Sequence, residues 1–359
     1  MVQLPHTIDR VRGIDFAAPG RQLGHLSIEH SNNEFDGAVI PVPIAVLAGP
    51  DASNGPTVLL TAGTHGDEYE GQVLLHELIR TLDPGSICGR IIVLPSLNLL
   101  AVREGSRVSK VDGANLNRAL PGHAAGGPTA QIARIVDADL LPLADFALDI
   151  HSGGAVNEYV PSAFVYAGPT PEVWARKMAA VEAFGQPYCV VVKPNYVSGS
   201  ISGAADRAGV LMVSTELGGR GTVNRRLLAD SRAGLYKLLA HVGVLDGGTP
   251  RPGATADADA RTPAGPPADI QYIQLGSDAA VMARAGGLFE PTVDLGQRVV
   301  VGDLIGKVHF IDELDRPAYE YRAHIDGLIA TLRHPTLVRT GSTLVNIAVP
   351  MDNPSRLDS

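Results

Sequence analysis

Cysteine is nearly missing from this chain: Cys88 and Cys189 are the only two in 359 residues. They stand about a hundred residues apart with no CxxC, which argues against a disulfide framework and against a cysteine-ligated zinc. Both read as inert thiols. Basic clusters are missing too, since Lys and Arg total 29 against 38 Asp and Glu, for a net charge of -9. Neutralising phosphates takes clustered cations, so no nucleic-acid partner is expected and small-molecule chemistry becomes the better starting point. No apolar run approaches the ~20 residues of a membrane span, and "MVQLPHTIDRVRGIDF" lacks an apolar core of signal-peptide length. The expectation is a cytoplasmic protein with no membrane partner.

Several common site templates fail as well. "GSISG" has Ile201 where the nucleophile of a GxSxG elbow belongs, "GDLIGK" is one residue short of a P-loop and lacks its Ser or Thr, and no GxGxxG occurs.

What is present is an ordinary globular composition, 45% hydrophobic and 19% charged, with a length that favours two domains. From residue 57 to 246 short apolar runs alternate with amphipathic stretches. "TVLLTAG", "RIIVLPSLN", "DFALDIH", "AFVYAG" and "VLMVSTELG" read as buried strands that end in loops. Between them "YEGQVLLHELIRTL" places Val73, Leu74, Leu78 and Leu82 on one helical face, and "TPEVWARKMAAVEAF" and "NRRLLADSRAGLYKLLAHVGVL" have the same period. The pattern predicts an α/β domain with a mostly parallel sheet flanked by helices, whose ligands gather beyond the carboxyl ends of the strands.

Residues 1–56 read as an extended N-terminal segment that could join either domain. Residues 247–268, "GGTPRPGATADADARTPAGPPA", read as a linker or long loop. From 269 to 359 short apolar pairs alternate with Gly turns, which predicts a smaller β-rich, barrel-like domain.

The polar residues worth weighing sit at the predicted strand ends. In "TAGTHGDEYEG", His65 and Glu68 offer two metal ligands one turn apart, and a catalytic zinc site usually takes three from His, Asp and Glu. The best third ligand is His151, closing "DFALDIH", with Asp149 on the same strand face to orient its imidazole or, equally, to cap the turn. A lone strand-end His is more often a loop hydrogen-bonder; the three together strengthen one another. In "REGSRVSKVDGANLNRALPG", Asn117 and Arg118 stand side by side with Arg107 upstream, a pairing suited to a carboxylate, although a solvated loop is the plainer reading. Glu216, in "STELGGRGTVN", could act as general base to a metal-bound water or merely cap the next helix.

Read in order, "HGDE", "NLNRALPG", "DIHSGG" and "ELGGRG" resemble the succinylglutamate desuccinylase/aspartoacylase family, which is related to the zinc carboxypeptidases. The resemblance covers the α/β domain and, more loosely, the C-terminal one. It implies one Zn²⁺ per chain on His65, Glu68 and His151, a substrate carboxylate on Asn117 and Arg118, and Glu216 as base. Arg107 would polarise the scissile carbonyl. The implied reaction is hydrolysis of the amide bond of a small N-acyl amino acid.

With Asp67 where aspartoacylases carry Asn, the chain is most similar to the bacterial deacylase branch that acts on N-alpha-acetyl-L-2,4-diaminobutyrate in ectoine breakdown. A second, cationic amine on the substrate would want an acidic patch, for which Asp67, Glu70 and Glu158 stand near the motifs. Other readings stay open: an aspartoacylase- or desuccinylase-type deacylase of another N-acyl amino acid, a carboxypeptidase, and a non-catalytic protein that only binds metal or carboxylate. The C-terminal domain resembles biotinyl and lipoyl barrels but has no lysine in "YRAHIDGLI" to carry a cofactor. It is expected to shape the pocket mouth or to join copies of the chain into a homo-oligomer.

Overall fold

The computed structural model describes residues 7–31, 37–168, 170–192, 199–246, 269–352 and Pro354. The expected linker at 247–268 lies outside the described residues.

The chain opens with β1 (Val11–Arg12), β2 (Gly20–His30) and β3 (Ala38–Ala48). Strands and helices then alternate: β4 (Thr57–Ala62), α1 (Glu70–Thr81), β5 (Arg90–Leu94), α2 (Leu99–Glu104) and α3 (Pro128–Ile135). Next come β6 (Phe146–His151), β7 (Asn157–Tyr159), β8 (Ser162–Tyr166), α4 (Pro171–Phe184), β9 (Tyr188–Val192), α5 (Ile201–Ala208), β10 (Leu211–Glu216) and α6 (Arg225–His241). Beyond residue 269 lie β11 (Gln271–Gln274), β12 (Ala280–Met282), β13 (Gly287–Pro291), β14 (Arg298–Val299) and β15 (Leu304–His309). The last four are β16 (Tyr319–Arg322), β17 (Gly327–Arg333), β18 (Leu337–Val338) and β19 (Thr343–Pro350).

The central sheet has the order β1-β2-β3-β5-β4-β6-β10-β8-β9-β11. Its middle strands β5, β4, β6 and β10 are parallel, so their carboxyl ends share one edge. Every residue of β4, β5 and β6 is buried, as an interior parallel strand covered on both faces requires. One face packs against α1, α4 and α6 through Leu74, Leu75, Leu78, Met178 and Leu235. The other packs against α3 and α5 through Ile132, Ile135 and Ala204. Helix α1 turns differently from the sequence reading: Val73 is 39% exposed, and Leu75, fully buried, takes the inward position beside Leu74 and Leu78. The N-terminal segment finds its place in this same sheet, since β3 pairs antiparallel with β5.

The C-terminal strands form a four-stranded antiparallel sheet, β16-β15-β13-β18, and extend the central one through β11, β19, β17 and β14. Phe289, Ile305, Val308 and Ile347 build a core of their own. A smaller cluster of Val160, Val190, Ile273, Leu328, Ala330 and Ala348 ties the two parts together. Strand β7, which follows the end of β6, pairs with β17, so C-terminal residues reach the rim where the parallel strands end.

Candidate active site

His65 sits three residues past β4, in a loop that can form only with glycine at its centre. A Cβ on Gly66 would lie 2.0 Å from the Ala101 backbone carbon, and the loop is tied there by Gly66 N–H donating to the Ser106 carbonyl at 3.0 Å. Gln72, buried on α1, donates its side-chain amide to the carbonyls of Gly66 at 3.1 Å and Glu68 at 2.8 Å. The backbone carrying both candidate ligands is thereby held from inside the fold. His151 is the last residue of β6, and Glu216 is its register partner as the last residue of β10.

These elements bring the three expected ligands together. Glu68 Oε1 lies 2.7 Å from His65 Nδ1, and Glu68 Oε2 lies 2.8 Å from His151 Nδ1. The two rings are 5.0 Å apart between centroids, and ligand atoms of His65, Glu68 and His151 all lie within 4.8 Å of one another. All three residues are buried.

The tautomers follow from the outer partners of the rings. His151 Nε2 faces Asp149 Oδ2 at 2.7 Å, and a carboxylate only accepts, so Nε2 carries the proton. Asp149 is itself fixed through Oδ1, which accepts from Thr61 Oγ1 at 2.8 Å and Thr64 Oγ1 at 2.9 Å. His65 Nε2 faces Asn115 Oδ1 at 3.2 Å; this oxygen also accepts the Asn117 N–H at 3.0 Å, which identifies it as the carbonyl end of the amide. In the neutral rings both Nδ1 lone pairs therefore point at the oxygens of Glu68. Bare acceptors crowded in this way need a cation between them, a proton or a metal. Two imidazoles and a carboxylate, with outer groups orienting the rings, form a donor set suited to a divalent transition metal.

The electrostatics agree. Burial pushes Glu68 upward, but His151 and His65 outweigh it and hold the carboxyl well below the usual range. Burial alone would lower His151; Asp149 and Glu68 raise it well above an ordinary imidazole. Glu216 goes the other way: burial and the negative charge of Glu68 lift it well above the usual carboxylate, against the pull of His151 and Arg107. Its Oε2 is inaccessible and has no partner among the described residues. A carboxyl lifted by its surroundings is suited to proton transfer.

The other expected residues lie on the same side. Arg107 Nη1 donates to Glu68 Oε1 at 3.3 Å from a half-exposed side chain. Asn117 Oδ1 accepts from the Ile201 N–H at 2.9 Å, which leaves its amide NH₂ end for a ligand. Arg118 is exposed at the rim, near enough to Arg107 that this second cation, after burial, lowers its pKa. The expected acidic patch is less open: Asp67 Oδ2 accepts the Ala155 N–H at 2.8 Å, Glu158 is paired with Arg220 at 2.7 Å, and Glu70 is 1% exposed.

Sequence reasoning passed over Thr61, Thr64, Asn115, Gln72, Tyr159 and Tyr166. Asn115 stands inside the quoted "NLNR", where its spacing to the Asn-Arg pair was a usable signal. Tyr166 reads as a strand residue in "AFVYAG" and Tyr159 falls in none of the predicted elements, yet both phenols are raised by burial and by the charge of Glu216.

Fold and site together define a hydrolase of mixed α/β architecture, with a metal-type donor set at the carboxyl ends of neighbouring parallel strands. More narrowly, the chain belongs to the succinylglutamate desuccinylase/aspartoacylase family, whose catalytic-domain model matches residues 54–242. It is 34% identical over 335 residues to the N-alpha-acetyl-L-2,4-diaminobutyric acid deacetylase of Halomonas elongata, covering 93% of each chain. A succinylglutamate desuccinylase/aspartoacylase structure from Rhodobacter sphaeroides superposes with a TM-score of 0.85 at 34% identity, over 96% of this chain and 100% of that one. The product-bound structure of the ectoine utilization protein EutE (DoeB) from Ruegeria pomeroyi gives the same TM-score, identity and coverage. Among the described residues no helix is long and apolar enough to cross a membrane.

Proposed function

We propose that this protein is a zinc-dependent deacylase of small N-acyl amino acids, with N-alpha-acetyl-L-2,4-diaminobutyrate as the substrate to try first. The observation that carries this reading is the convergence of the His65 and His151 Nδ1 atoms on the two oxygens of Glu68, with Glu216 opposite His151 on the next strand. The similarity to the Halomonas elongata deacetylase over 93% of both chains supports the choice of substrate.

In this reading His65, Glu68 and His151 hold the zinc. Bound there, it supplies Lewis acidity toward the acyl carbonyl and acidity to a water. Glu216 takes a proton from the attacking water and delivers it to the departing amine nitrogen, for which its raised affinity for protons suits it. Arg107, beside Glu68, faces the negative charge that builds on the carbonyl oxygen. Asn117 and Arg118 take the α-carboxylate of the amino acid, the guanidinium forking onto both oxygens. A protein built of two tied parts, divided near 247–268, completes this proposal.

The test is release of free amine from N-alpha-acetyl-L-2,4-diaminobutyrate, N-acetylaspartate, N-succinylglutamate and uncapped dipeptides, with metal content measured on the same samples. Amide hydrolysis that a chelator abolishes and zinc restores supports the reading. A preference for uncapped dipeptides would make the protein a carboxypeptidase, and a zinc-loaded protein that cleaves none of them would reduce it to a binding protein.

A further inference from the structure

The three residues of β7 are clamped between two parts of the molecule. On one side Tyr159 N–H donates to the Gly218 carbonyl at 2.9 Å and Glu158 bridges Gly219, the pair of glycines just beyond Glu216. Only glycine fits there: Gly219 has φ +140°, and a Cβ on it would lie 2.2 Å from the Asn157 carbonyl oxygen. On the other side Tyr159 is the register partner of Thr331 in β17, and Val160 N–H donates to the Ala330 carbonyl at 3.0 Å. The position of Tyr159 is thus fixed both by the loop that follows the candidate base and by the C-terminal strands.

The ring meets Phe164 edge-on, with centroids 6.3 Å apart, and Phe164 is the register partner of Ser214, two residues before Glu216. The Tyr159 ring thus packs beside β8, whose partner strand β10 ends in Glu216. Its hydroxyl lies within the fields of Glu216, Glu68 and Arg107, the groups that would surround a reacting acyl carbonyl. Burial and the two carboxylates keep the phenol protonated, so it is a neutral donor at every working pH. Among the described residues no hydrogen bond engages that hydroxyl.

We propose that Tyr159 is a substrate-contacting residue, donating its O–H to the acyl carbonyl oxygen as negative charge builds there, and that β17 of the C-terminal part holds it in place. This rests on the deacylase reading above. A donor aimed at the developing charge, rather than at the substrate's carboxylate or side chain, acts on turnover more than on ground-state binding.

The test is Tyr159→Phe, which keeps the ring and its packing and removes only the hydroxyl. The expected result is a kcat about 10- to 100-fold lower, the usual range for one hydrogen bond to a charged group, with KM changed little. Zinc content and Tm should stay at wild-type values. A phosphonate mimic of the tetrahedral intermediate should bind more weakly by the same factor, whereas inhibition by the amine product should not change. Wild-type kcat in Tyr159→Phe, beside an active wild type, would overturn the role of Tyr159 alone. A wild type inactive on every N-acyl amino acid would remove the deacylase reading and this inference with it.

Discussion

Glu216 and His151 are register partners at the last positions of two adjacent parallel strands, β10 and β6. A candidate ligand and a candidate base on neighbouring strands keep their separation without any loop having to set it. Their roles should therefore separate cleanly by mutation.

Glu216→Gln should lower kcat by about a hundredfold or more, the usual range for a lost general base, while zinc content stays at wild type. Steady-state kinetics with metal analysis on the same preparation decides it. Unchanged turnover would sink the assignment of the base.

His65→Ala and His151→Ala should each lose most of their bound zinc, because either change leaves two of three ligands. Metal analysis after dialysis reads this directly. If both variants keep full zinc occupancy, the metal sits elsewhere.

Asp149→Asn should weaken zinc affinity about 10- to 100-fold, since it removes the carboxylate that fixes the proton on His151 Nε2. Asp149 and Glu68 raise the proton affinity of His151, so zinc must displace a proton, and wild-type affinity should fall as pH drops from 8 to 6. In Asp149→Asn one of the two groups that raise His151 is gone, so this fall should be shallower. Competitive titration at several pH values checks both the loss and the slope.

Arg118→Ala should raise KM about tenfold or more with a small change in kcat, as expected for a contact made equally in ground and transition states. A fall in kcat at constant KM would move Arg118 from carboxylate binding to the chemistry itself.

Glu70 is pushed up to about 7, chiefly by burial, against the weaker pull of the nearby Ser152 hydroxyl and its own and the Gly219 backbone amides. Unfolded, it would titrate near ~4.3. Below that pH both states are protonated and nothing is lost; between the two values the unfolded chain ionises first, and the folded protein is progressively destabilised. Glu70→Gln escapes this penalty. Relative to wild type the variant should gain stability as pH rises from 5 to 8, by at most about 3 kcal/mol at ~1.4 kcal/mol per pKa unit. Denaturant melts at the two pH values measure the gain, and a pH-independent difference would show that Glu70 ionises normally.

Much of this architecture could be read along the chain because interior parallel strands must be apolar throughout. β4, β5, β6, β8 and β10 were each visible as short branched runs ending at Gly, Asn or His. Helix α1 was legible in existence but not in rotation: Val73 and Leu75 are equally apolar, and only packing against the sheet decides which one turns inward. The N-terminal strands were legible as extended, but edge pairing with β5 depends on partners distant in sequence.

The same division runs through the candidate site. By itself the sequence determined the donor types and their strand-end positions: His65, Glu68, His151 and Glu216 had to share one edge once the strands were parallel. Local spacing carries that information, because a residue that ends a buried strand has nowhere to go but the rim. Only the tertiary structure decided that both Nδ1 atoms face Glu68, that Thr61, Thr64 and Asn115 fix the outer nitrogens through Asp149 and directly, and that Tyr159 joins the rim from a strand held by the C-terminal part. Apart from the local His65–Glu68 and Asp149–His151 pairs, those contacts link residues 50 or more positions apart, some of them more than 150, and no local pattern of charge or hydrophobicity encodes a partner at that distance.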